Sequence, residues 1–369
     1  MVSAPKHRVI WVYKRNRKRW LEEWKEGEQS SEFFYGMTTL SQRYNTDFVE
    51  GADGQILLQY FLKPLELYVS RRMGIGFGAH LALRYLRKLR SADVLVSTVD
   101  TCGLPLAMFK LWGLISGKVI YISQGLADRV QAYGRERRLS RYYKKLLLKV
   151  DALVILSEGA RASLANWLEI SPERVHVLPF GVDCDFWHFT GGVGGEILSI
   201  GSDPGRDYGT LLHAIDGFPL HIVSRQMFNL RGLTNVRRTQ DYTPKALRDL
   251  YSQARFVVVP LKNVSQPSGQ STTLQAMACG KAVILTQSRG YFGESYLKSG
   301  ENCVLVSPNN VDAMRSAIRQ LWADPAMCVR IGQKARETVL EHFSESRMAD
   351  SFSQIIEGVL NAHFVRTRS

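Results

Sequence analysis

The segment from residue 256 to residue 286 constrains the fold more than any other part of the chain. It begins with the β-branched run Phe256–Val259, which predicts a buried strand, and ends with a second apolar run, Ala282–Thr286. Between them lie a polar loop and an apolar segment with Leu274, Met277 and Ala278 on one helical face. This order of strand, loop, helix and strand is typical of a parallel α/β sheet.

The loop of this segment, Ser268–Thr272, consists of small polar residues and opens directly into the helix. The first backbone N–H groups of a helix and the positive end of its dipole point at this loop, and together they favour a bound phosphate. Serine and threonine before a helix are also ordinary N-caps. The local pattern therefore leaves phosphate binding and plain capping both open.

Length and composition indicate a globular protein of more than one domain. A chain of 369 residues predicts two domains, each with its own hydrophobic core. The most apolar stretch, residues 104–122, contains Lys110 and Lys118 and is a poor candidate for a membrane span. The N-terminus lacks the apolar core of a signal peptide, and the five cysteines are scattered without a C-x-x-C pair. We therefore expect a cytoplasmic protein with reduced thiols and neither a disulfide framework nor a cysteine metal site.

Positive charge is concentrated in the first part of the chain. The first 150 residues contain 26 lysines and arginines against 13 acidic residues, so they hold nearly all of the net charge of +14. The densest cluster spans residues 135–149, where basic residues alternate with leucines and tyrosines, and its key members are Arg137, Arg138, Arg141, Lys144 and Lys145. This pattern predicts a basic amphipathic helix that contacts an anionic membrane or another polyanion. A helix that packs on the core and exposes a solvated basic face is the alternative.

The segment 256–286 resembles the donor-binding signature of retaining glycosyltransferases with the GT-B fold, especially glycosyltransferase family four, the group 1 glycosyl transferases. Three further passages resemble that family in the same order along the chain. They are Val177–Asp183, Ile197–Gly201 with the following Arg206–Tyr208, and Gly300–Val306. The ordered set is far more specific than any one of its members.

The resemblance implies two Rossmann-like α/β domains that face each other across a cleft, with a C-terminal helix that crosses back to the first domain. We expect a basic acceptor-side domain in residues 1–180, a linker in 181–195, a donor-binding domain in 196–345 and the returning helix in 346–369. Apolar runs predict strands at 8–13, 94–99, 119–122, 153–156, 196–201, 220–223, 256–260, 282–286 and 303–306, and a helix is expected over 32–43.

By the same resemblance, the second domain binds a UDP- or GDP-sugar, and Arg206 faces the diphosphate. Lys262 is a candidate to replace a basic residue that the family has where this chain has Ser202; a solvated loop lysine is the alternative. Arg225 is expected near the nucleotide. The full predicted donor site is Gly201, Arg206, Arg225, Lys262, Ser268, Gly269, Gln270, Ser271, Thr272 and Gln275.

The chain departs from the family at two positions. Where the family typically carries two glutamates eight positions apart, this sequence has Pro267 and Gln275. Gln275 retains the ability to hydrogen-bond a ribose hydroxyl, but it cannot act as an anion. Pro267 cannot replace the first glutamate, which leaves Gln266, Ser268 or Gln270 as substitutes and keeps a catalytically degenerate binding scaffold open as an alternative.

In the first domain, polar residues follow two predicted strands. Asp100 is a candidate to orient or deprotonate the acceptor hydroxyl, with a helix cap as the alternative, and Gln124 is a candidate sugar or acceptor contact. The loop with Gly27 and Glu28 resembles in position the flexible glycine loop of the family, which meets the donor phosphate or the acceptor. The family's transfer, in which the leaving phosphate oxygen takes the acceptor proton, needs no metal or other cofactor, and the chain has no suitable D-x-D pair.

The resemblance, taken with the charge pattern, therefore implies a retaining, metal-independent glycosyltransferase at the cytosolic face of a membrane, acting on a lipid-linked or membrane glycan. A nucleic-acid-binding or nucleic-acid-modifying transferase is the main alternative. The sequence pI of 9.6 and the interleaved arginines and tyrosines favour it, whereas the absence of a recognised nucleic-acid motif argues against it.

Overall fold

A computed structural model describes residues 6–51, 57–126, 138–188, 194–230 and 232–366. The chain forms two compact units. The first domain comprises residues 1–22, 34–179 and 348–369, and the second comprises residues 23–33 and 180–347. Each domain therefore draws on separate stretches of sequence.

The first domain contains a sheet of six parallel strands. The strands are β1 (Arg8–Tyr13), β2 (Asn45–Glu50), β3 (Val94–Ser97), β4 (Lys118–Ser123), β5 (Ala152–Ile155) and β6 (Val175–Val177), in the spatial order β2-β1-β3-β4-β5-β6. Its central strands are nearly continuous apolar runs, and residues 9–12 of β1 are at most 1% exposed. Such runs are expected of parallel strands because both faces of the sheet are covered.

Helices connect these strands along the chain. They are α1 (Arg17–Lys25), α2 (Met37–Leu40), α3 (Leu57–Met73), α4 (Ala79–Arg84), α5 (Leu86–Arg90), α6 (Asp100–Leu111), α7 (Arg138–Leu147) and α8 (Arg161–Leu168). One buried cluster packs β1, β3 and β4 against α4, α5 and α6. A second cluster packs β4, β5 and β6 against α7 and α8.

The second domain repeats this architecture. Its strands are β7 (Glu196–Ile200), β8 (Leu220–Val223), β9 (Val236–Thr239), β10 (Ala254–Val259), β11 (Val283–Thr286) and β12 (Val304–Val306), all parallel, in the order β12-β11-β10-β7-β8-β9. The chain runs outward from β7 to β9 and then returns to β10 on the other side of β7. The carboxyl ends of β7 and β10 thus border the point where the strand order reverses, which is where open α/β sheets bind ligands.

The helices of the second domain are α9 (Tyr208–Ala214), α10 (Pro244–Gln253), α11 (Gln270–Ala278), α12 (Val311–Ala323) and α13 (Pro325–His342), followed by α14 (Glu345–Arg366). From residue 348 onward, α14 belongs to the first domain. There Phe352 packs edge-on to Trp11 with ring centroids 6.3 Å apart, and the hydroxyls of Tyr44 and Ser353 lie 3.0 Å apart. None of the helices that the structure describes combines the length and apolar character needed to cross a membrane.

Every strand predicted from an apolar run is present, with bounds that differ by two residues or fewer. The sequence did not reveal β2, β6 and β9, which lie at sheet edges. β2 and β9 are polar because an edge strand has a solvated side. The helix expected over residues 32–43 is wrong. The backbone takes left-handed angles at Tyr35 (φ 51°) and Gly36 (φ 77°), so only a short turn at Glu32–Phe34 and the brief α2 form there.

Candidate functional site

Arg206 lies in the loop after β7, and its side chain is only 3% exposed. A backbone bridge to Leu261 fixes the loop beside the chain that leaves β10. The guanidinium Nη2 donates to Thr272 Oγ1 at 2.9 Å, and Nε lies 3.0 Å from a carboxylate oxygen of Asp203. These two contacts hold the charge between the β7 loop and the first turn of α11.

Part of this guanidinium is without a hydrogen bond. Nε and Nη1 are both buried and have no hydrogen-bond partner within the described part of the chain, and of the two only Nε has a carboxylate, that of Asp203, at ion-pair distance. Leaving a buried donor unpaired costs about 1–3 kcal/mol, and more when the group is charged. An anionic oxygen bound at Nη1 would offset that cost, so the arrangement favours an anionic ligand.

Two glycines allow the guanidinium to occupy this position. A Cβ atom at Gly201 would lie 2.0 Å from Arg206 Nε, and one at Gly269 would lie 2.8 Å from Nη1 and 2.7 Å from Val259 Cγ1. Gly269 also has a left-handed φ of 76°, which a side chain would strain. Both predicted donor-site glycines are therefore required by the close approach of backbone to guanidinium.

Helix α11 begins beside Arg206 and has no side-chain cap. Its N-cap position is Gly269, whereas α9 and α10 are capped by the side chains of Asp207 and Thr243. Ser268 does not cap the helix; its hydroxyl donates to Asp203 Oδ1 at 2.5 Å. The alternative that the serines and threonine of this loop are only an N-cap is therefore wrong. The uncapped N-terminus and the buried guanidinium form one positive site that includes the backbone of Gln270, Ser271 and Thr272.

Lys262 and Arg225, the other two basic residues of the predicted donor site, lie on neighbouring loops. Lys262 is exposed, and its Nζ donates to the carbonyl of Pro204 at 2.8 Å, next to the Arg206 loop. The Arg225 side chain is 73% exposed and pairs with Asp241, while its backbone N–H donates to Ser202 Oγ at 2.9 Å. Both residues border the β7 loop, and their contacts with a donor stay predictions.

Gln275 is 7% exposed, and its amide is engaged within the second domain. Its Nε2 donates to Glu32 Oε1 at 2.9 Å, and its Oε1 accepts from the Tyr251 hydroxyl at 3.4 Å. A ribose contact by Gln275 stays a prediction, and it would have to share these two partners.

Sequence reasoning did not single out Glu32, which is fully buried. Besides Gln275, it accepts hydrogen bonds from Trp187 Nε1 at 3.0 Å and from the backbone N–H of Asp183 at 3.3 Å. Burial raises the pKa of Glu32 from its ordinary value of 4.5. Where the family has a glutamate at the position of Gln275, this chain brings a carboxylate from residue 32 to the side of that glutamine.

The loop before Glu32 also belongs to the second domain. Gly27 has a left-handed φ of 76°, and Glu28 forms an ion pair with Lys245 at 2.7 Å. The hydroxyl of Ser31 donates to Asp183 at 2.9 Å. The loop is thus anchored at both ends within the second domain, whereas its contact with a phosphate or an acceptor stays a prediction.

In the first domain, Asp100 and Gln124 are brought together. Asp100 accepts from the Tyr121 hydroxyl at 2.8 Å and from the backbone N–H groups of Gln124 and Gly125, and burial raises its pKa. It is not a cap, because the N-cap of α6 is Val99 and has no side-chain bond. Gln124 Nε2 donates to Thr98 O at 2.8 Å. Both residues lie at the carboxyl ends of β3 and β4, and an acceptor role for them stays a prediction.

The basic cluster forms helix α7. Arg137 and the side chain of Arg138 lie outside the described residues. Arg141 and Lys145 are exposed, Lys144 pairs with Glu169 at 2.5 Å, and Tyr143 and Leu147 are buried. The helix is therefore amphipathic as predicted, and its contact with a membrane stays a prediction.

No three His, Cys, Asp or Glu side chains of the described residues come together as the ligands of a metal would. Metal independence stays a prediction, because this finding concerns only the protein's own side chains.

Comparison with known proteins shows what this chain is similar to. The sequence pattern of the family described as Glycosyl transferases group 1 matches residues 211–324, within the second domain. Solved structures match nearly the whole chain. A glycosyltransferase from Rickettsia africae aligns with a TM-score of 0.67 and 16% identity over 97% of this chain and 99% of its own. Anabaena Alr3699/HepE in complex with UDP-glucose aligns with a TM-score of 0.70 and 11% identity over 95% of this chain and 99% of its own.

The chain has the GT-B fold of these solved glycosyltransferase structures.

Among curated proteins, this GT-B chain is similar to the MMP alpha-(1->4)-mannosyltransferase of Mycolicibacterium hassiacum. The two are 24% identical over 226 residues, which is 56% of this chain and 54% of the mannosyltransferase. The match therefore spans only about half the length of that relative.

Replacing Gly269 with alanine tests the packing around Arg206. We expect Gly269→Ala to lower the free energy of unfolding by about 2–4 kcal/mol, because it adds steric overlap to backbone strain. Gly217→Ala is the matched control: Gly217 has a φ of 83° but open space where a Cβ would lie, so a loss of about 1 kcal/mol is expected. Urea denaturation measures both values. Equal losses would show that Arg206 and Val259 do not restrict this position.

Glu32 predicts an unusual pH dependence. Because the pKa of Glu32 is raised in the folded state, the folded protein holds a proton that the unfolded chain releases, and stability falls as pH rises above 4.5. Glu32→Gln cannot titrate, so we expect wild type to lose stability relative to this variant as the pH rises from 4.5 towards neutral. Denaturation curves across this range measure the difference, with the exposed Glu28→Gln as a control. A difference that stays constant with pH would contradict the assignment.

Proposed function

We propose that this protein transfers a sugar from a UDP- or GDP-sugar to an acceptor hydroxyl, with retention of anomeric configuration and without a metal. The observation that carries the proposal is the unused Nη1 of the buried Arg206 guanidinium beside the uncapped N-terminus of α11. This positive site lies where the strand order of the second sheet reverses. The family match over residues 211–324 and the UDP-glucose complex of a protein with this fold support a nucleotide-sugar as the ligand.

In the proposed reaction, the bond between the sugar carbon and the diphosphate oxygen breaks, and the diphosphate leaves with the electron pair. Negative charge grows on the diphosphate as this bond lengthens. Arg206 is already held by Thr272 and Asp203, so it can stabilise that charge without moving, which is the main source of electrostatic catalysis. The acceptor oxygen bonds to the sugar carbon, and its proton passes to the departing phosphate oxygen.

The polar cluster of the first domain is proposed to position the acceptor. Tyr121 and the backbone at residues 124 and 125 fix the Asp100 carboxylate, and Thr98 fixes the amide of Gln124. Groups with fixed orientation reduce the entropy lost when an acceptor hydroxyl is aligned for attack. This role requires positioning alone, since the phosphate oxygen takes the proton.

The acceptor is proposed to be a lipid-linked or membrane glycan, reached at the cytosolic face of an anionic membrane. Nearly all of the net charge of +14 belongs to the first 150 residues, and α7 exposes Arg141 and Lys145 while it buries Tyr143 and Leu147. A basic residue near an anionic lipid surface contributes about 1 kcal/mol of attraction. Such a surface would concentrate the enzyme where its acceptor resides.

A nucleotide screen tests the donor. We expect UDP or GDP, or one of their sugar conjugates, to raise the melting temperature, with no effect of EDTA. A ligand at 100 times its dissociation constant adds about 2.7 kcal/mol to the free energy of unfolding. ADP and CMP serve as controls. No shift with any nucleotide would contradict the proposal and favour a degenerate scaffold, and loss of the shift in EDTA would show a metal-dependent site.

Arg206→Ala tests the catalytic assignment. We expect kcat/KM to fall by roughly 100-fold or more, because the variant lacks the preorganised charge at the leaving diphosphate. Arg206→Lys keeps the charge but loses the fixed geometry, so an intermediate loss is expected. Arg315→Ala, which removes an arginine of α12 paired with Asp216 and Asp312, is the matched control and should change the rate less than the Arg206 variants. Full activity of Arg206→Ala would overturn the assignment.

A further inference from the structure

Helix α3 exposes an unusual number of large apolar side chains. Tyr60 and Phe61 are each 73% exposed, Tyr68 is 58%, Leu65 is 55% and Leu67 is 44%. These are five of the twelve exposed large hydrophobic residues in the described part of the chain, and they lie within nine residues of sequence. Single exposed apolar side chains are ordinary, but a contiguous group of them marks an interaction surface.

The exposed residues share one side of the helix. Positions 60, 61, 64, 65 and 68 recur at intervals of three and four, which places them on one face. Tyr60 and Phe61 pack edge-on with ring centroids 6.1 Å apart. We call the exposed side of residues 60, 61, 64, 65, 67, 68, 71 and 72 the α3 face.

The opposite side of α3 is attached to the domain, and its polarity is inverted. Glu66 is 7% exposed, and its carboxylate lies 2.9 Å from His80 Nδ1 and accepts from the His80 backbone N–H at 2.8 Å. Val69 packs against a buried cluster that also contains Tyr143 and Leu147 of α7. The helix thus turns its carboxylate inward and its aromatic rings outward, so the exposure does not result from a detached helix.

The charge on the α3 face has one sign. Arg71 and Arg72 lie at its C-terminal end, and the only acidic residue between positions 60 and 72 is the buried Glu66. The Arg72 guanidinium lies over the Tyr68 ring, 5.8 Å from its centroid. The two arginines, with Pro64, Leu67 and Tyr68, surround a shallow cavity of about 460 Å³.

We propose that the α3 face docks onto the surface of an anionic lipid bilayer. Its aromatic and leucine side chains enter the boundary between headgroups and acyl chains, and Arg71 and Arg72 pair with lipid phosphates. The proposal rests on the membrane-acceptor part of the proposed function and assigns it an apolar contact surface, which the basic helix α7 alone does not supply.

The chemistry of the face favours a bilayer over a second copy of the chain. Two copies that met through this face around a twofold axis would place four arginines in one interface, with no carboxylate on the face to compensate. An anionic bilayer offers both an apolar interior and negative headgroups. Helix α7 packs on the same buried cluster as Val69, and its exposed Arg141 and Lys145 add positive charge of the same sign.

Vesicle flotation of the full chain tests the docking surface. The probe is phosphatidylcholine vesicles with or without about 30% phosphatidylglycerol, at low and physiological salt. The apolar variant combines Tyr60→Ser, Phe61→Ser, Leu65→Ser and Tyr68→Ser, and the charge variant combines Arg71→Gln and Arg72→Gln. Trp112→Ser is the matched control, since Trp112 is 57% exposed and also lies in the first domain.

We expect wild type and Trp112→Ser to bind the anionic vesicles, and the apolar variant to bind at least about tenfold more weakly at both salt concentrations, because salt does not screen apolar contact. The charge variant should bind more weakly with a shallower salt dependence. Should the four-residue variant unfold, Phe61→Ser and Tyr68→Ser are measured singly. If the apolar variant binds the vesicles as tightly as wild type does, the proposal is overturned.

Two further measurements on the same samples separate the explanations. Sedimentation velocity detects a dimer; a dimer that the apolar variant abolishes while vesicle binding persists would make a second copy the occupant and overturn the proposal. Melting temperatures with UDP and GDP report the donor site, and the apolar variant should keep the wild-type shift. If wild type shows no nucleotide shift yet still binds vesicles through α3, the proposed transferase function fails and the docking surface stands.

Discussion

The structure of the second domain depends on one buried positive charge. Arg206 lies between the loop after β7 and the start of α11, and it touches both through Asp203 and Thr272. Gly201 and Gly269 lack side chains because the guanidinium occupies the space that a Cβ would need. The buried guanidinium explains three features of this region: the loop sequence, the positions of the two glycines and the absence of a side-chain cap on α11. A charge kept buried with an unused donor is costly by itself, which favours a function in which an anion completes it.

Glu32 is a buried carboxyl group in the same domain as Arg206. Its carboxylate joins the loop of residues 27–31 to Trp187 and to Gln275 of α11. The raised pKa of Glu32 shows that its burial disfavours the charged form despite these hydrogen bonds. Two ionisable side chains from distant parts of the sequence therefore contact the first part of α11: Arg206 bonds to Thr272, and Glu32 bonds to Gln275. The departure from the family pattern at Gln275 is accompanied by a carboxylate that reaches the same place from residue 32.

The sequence predicted the parts of the fold that repeat a simple physical pattern. Central strands such as β1 and β10 are covered on both faces, so their apolar runs are visible in the sequence, whereas the polar edge strands β2 and β9 carry no such signal. The loop and helix after β10 were predictable from their local pattern, and Arg206 was predicted from the family resemblance; that they bind an anion stays a prediction. The contact between Glu32 and Gln275 joins residues 243 positions apart, and no local pattern reveals it. The α3 face was missed for a related reason: hydropathy shows that a helix has two sides, but not which side the protein covers.

The division of the chain between the domains has a consequence for how the protein is made. The first domain includes residues from 348 onward, and the second includes residues 23–33. During synthesis, the first sheet can assemble early, but Trp11 and Tyr44 gain Phe352 and Ser353 only near the end of translation. Neither half is a contiguous module, so a gene cut near residue 180 would yield two incomplete products. Recombination between relatives would have to exchange the helix of residues 345–366 together with the first domain to keep its packing intact.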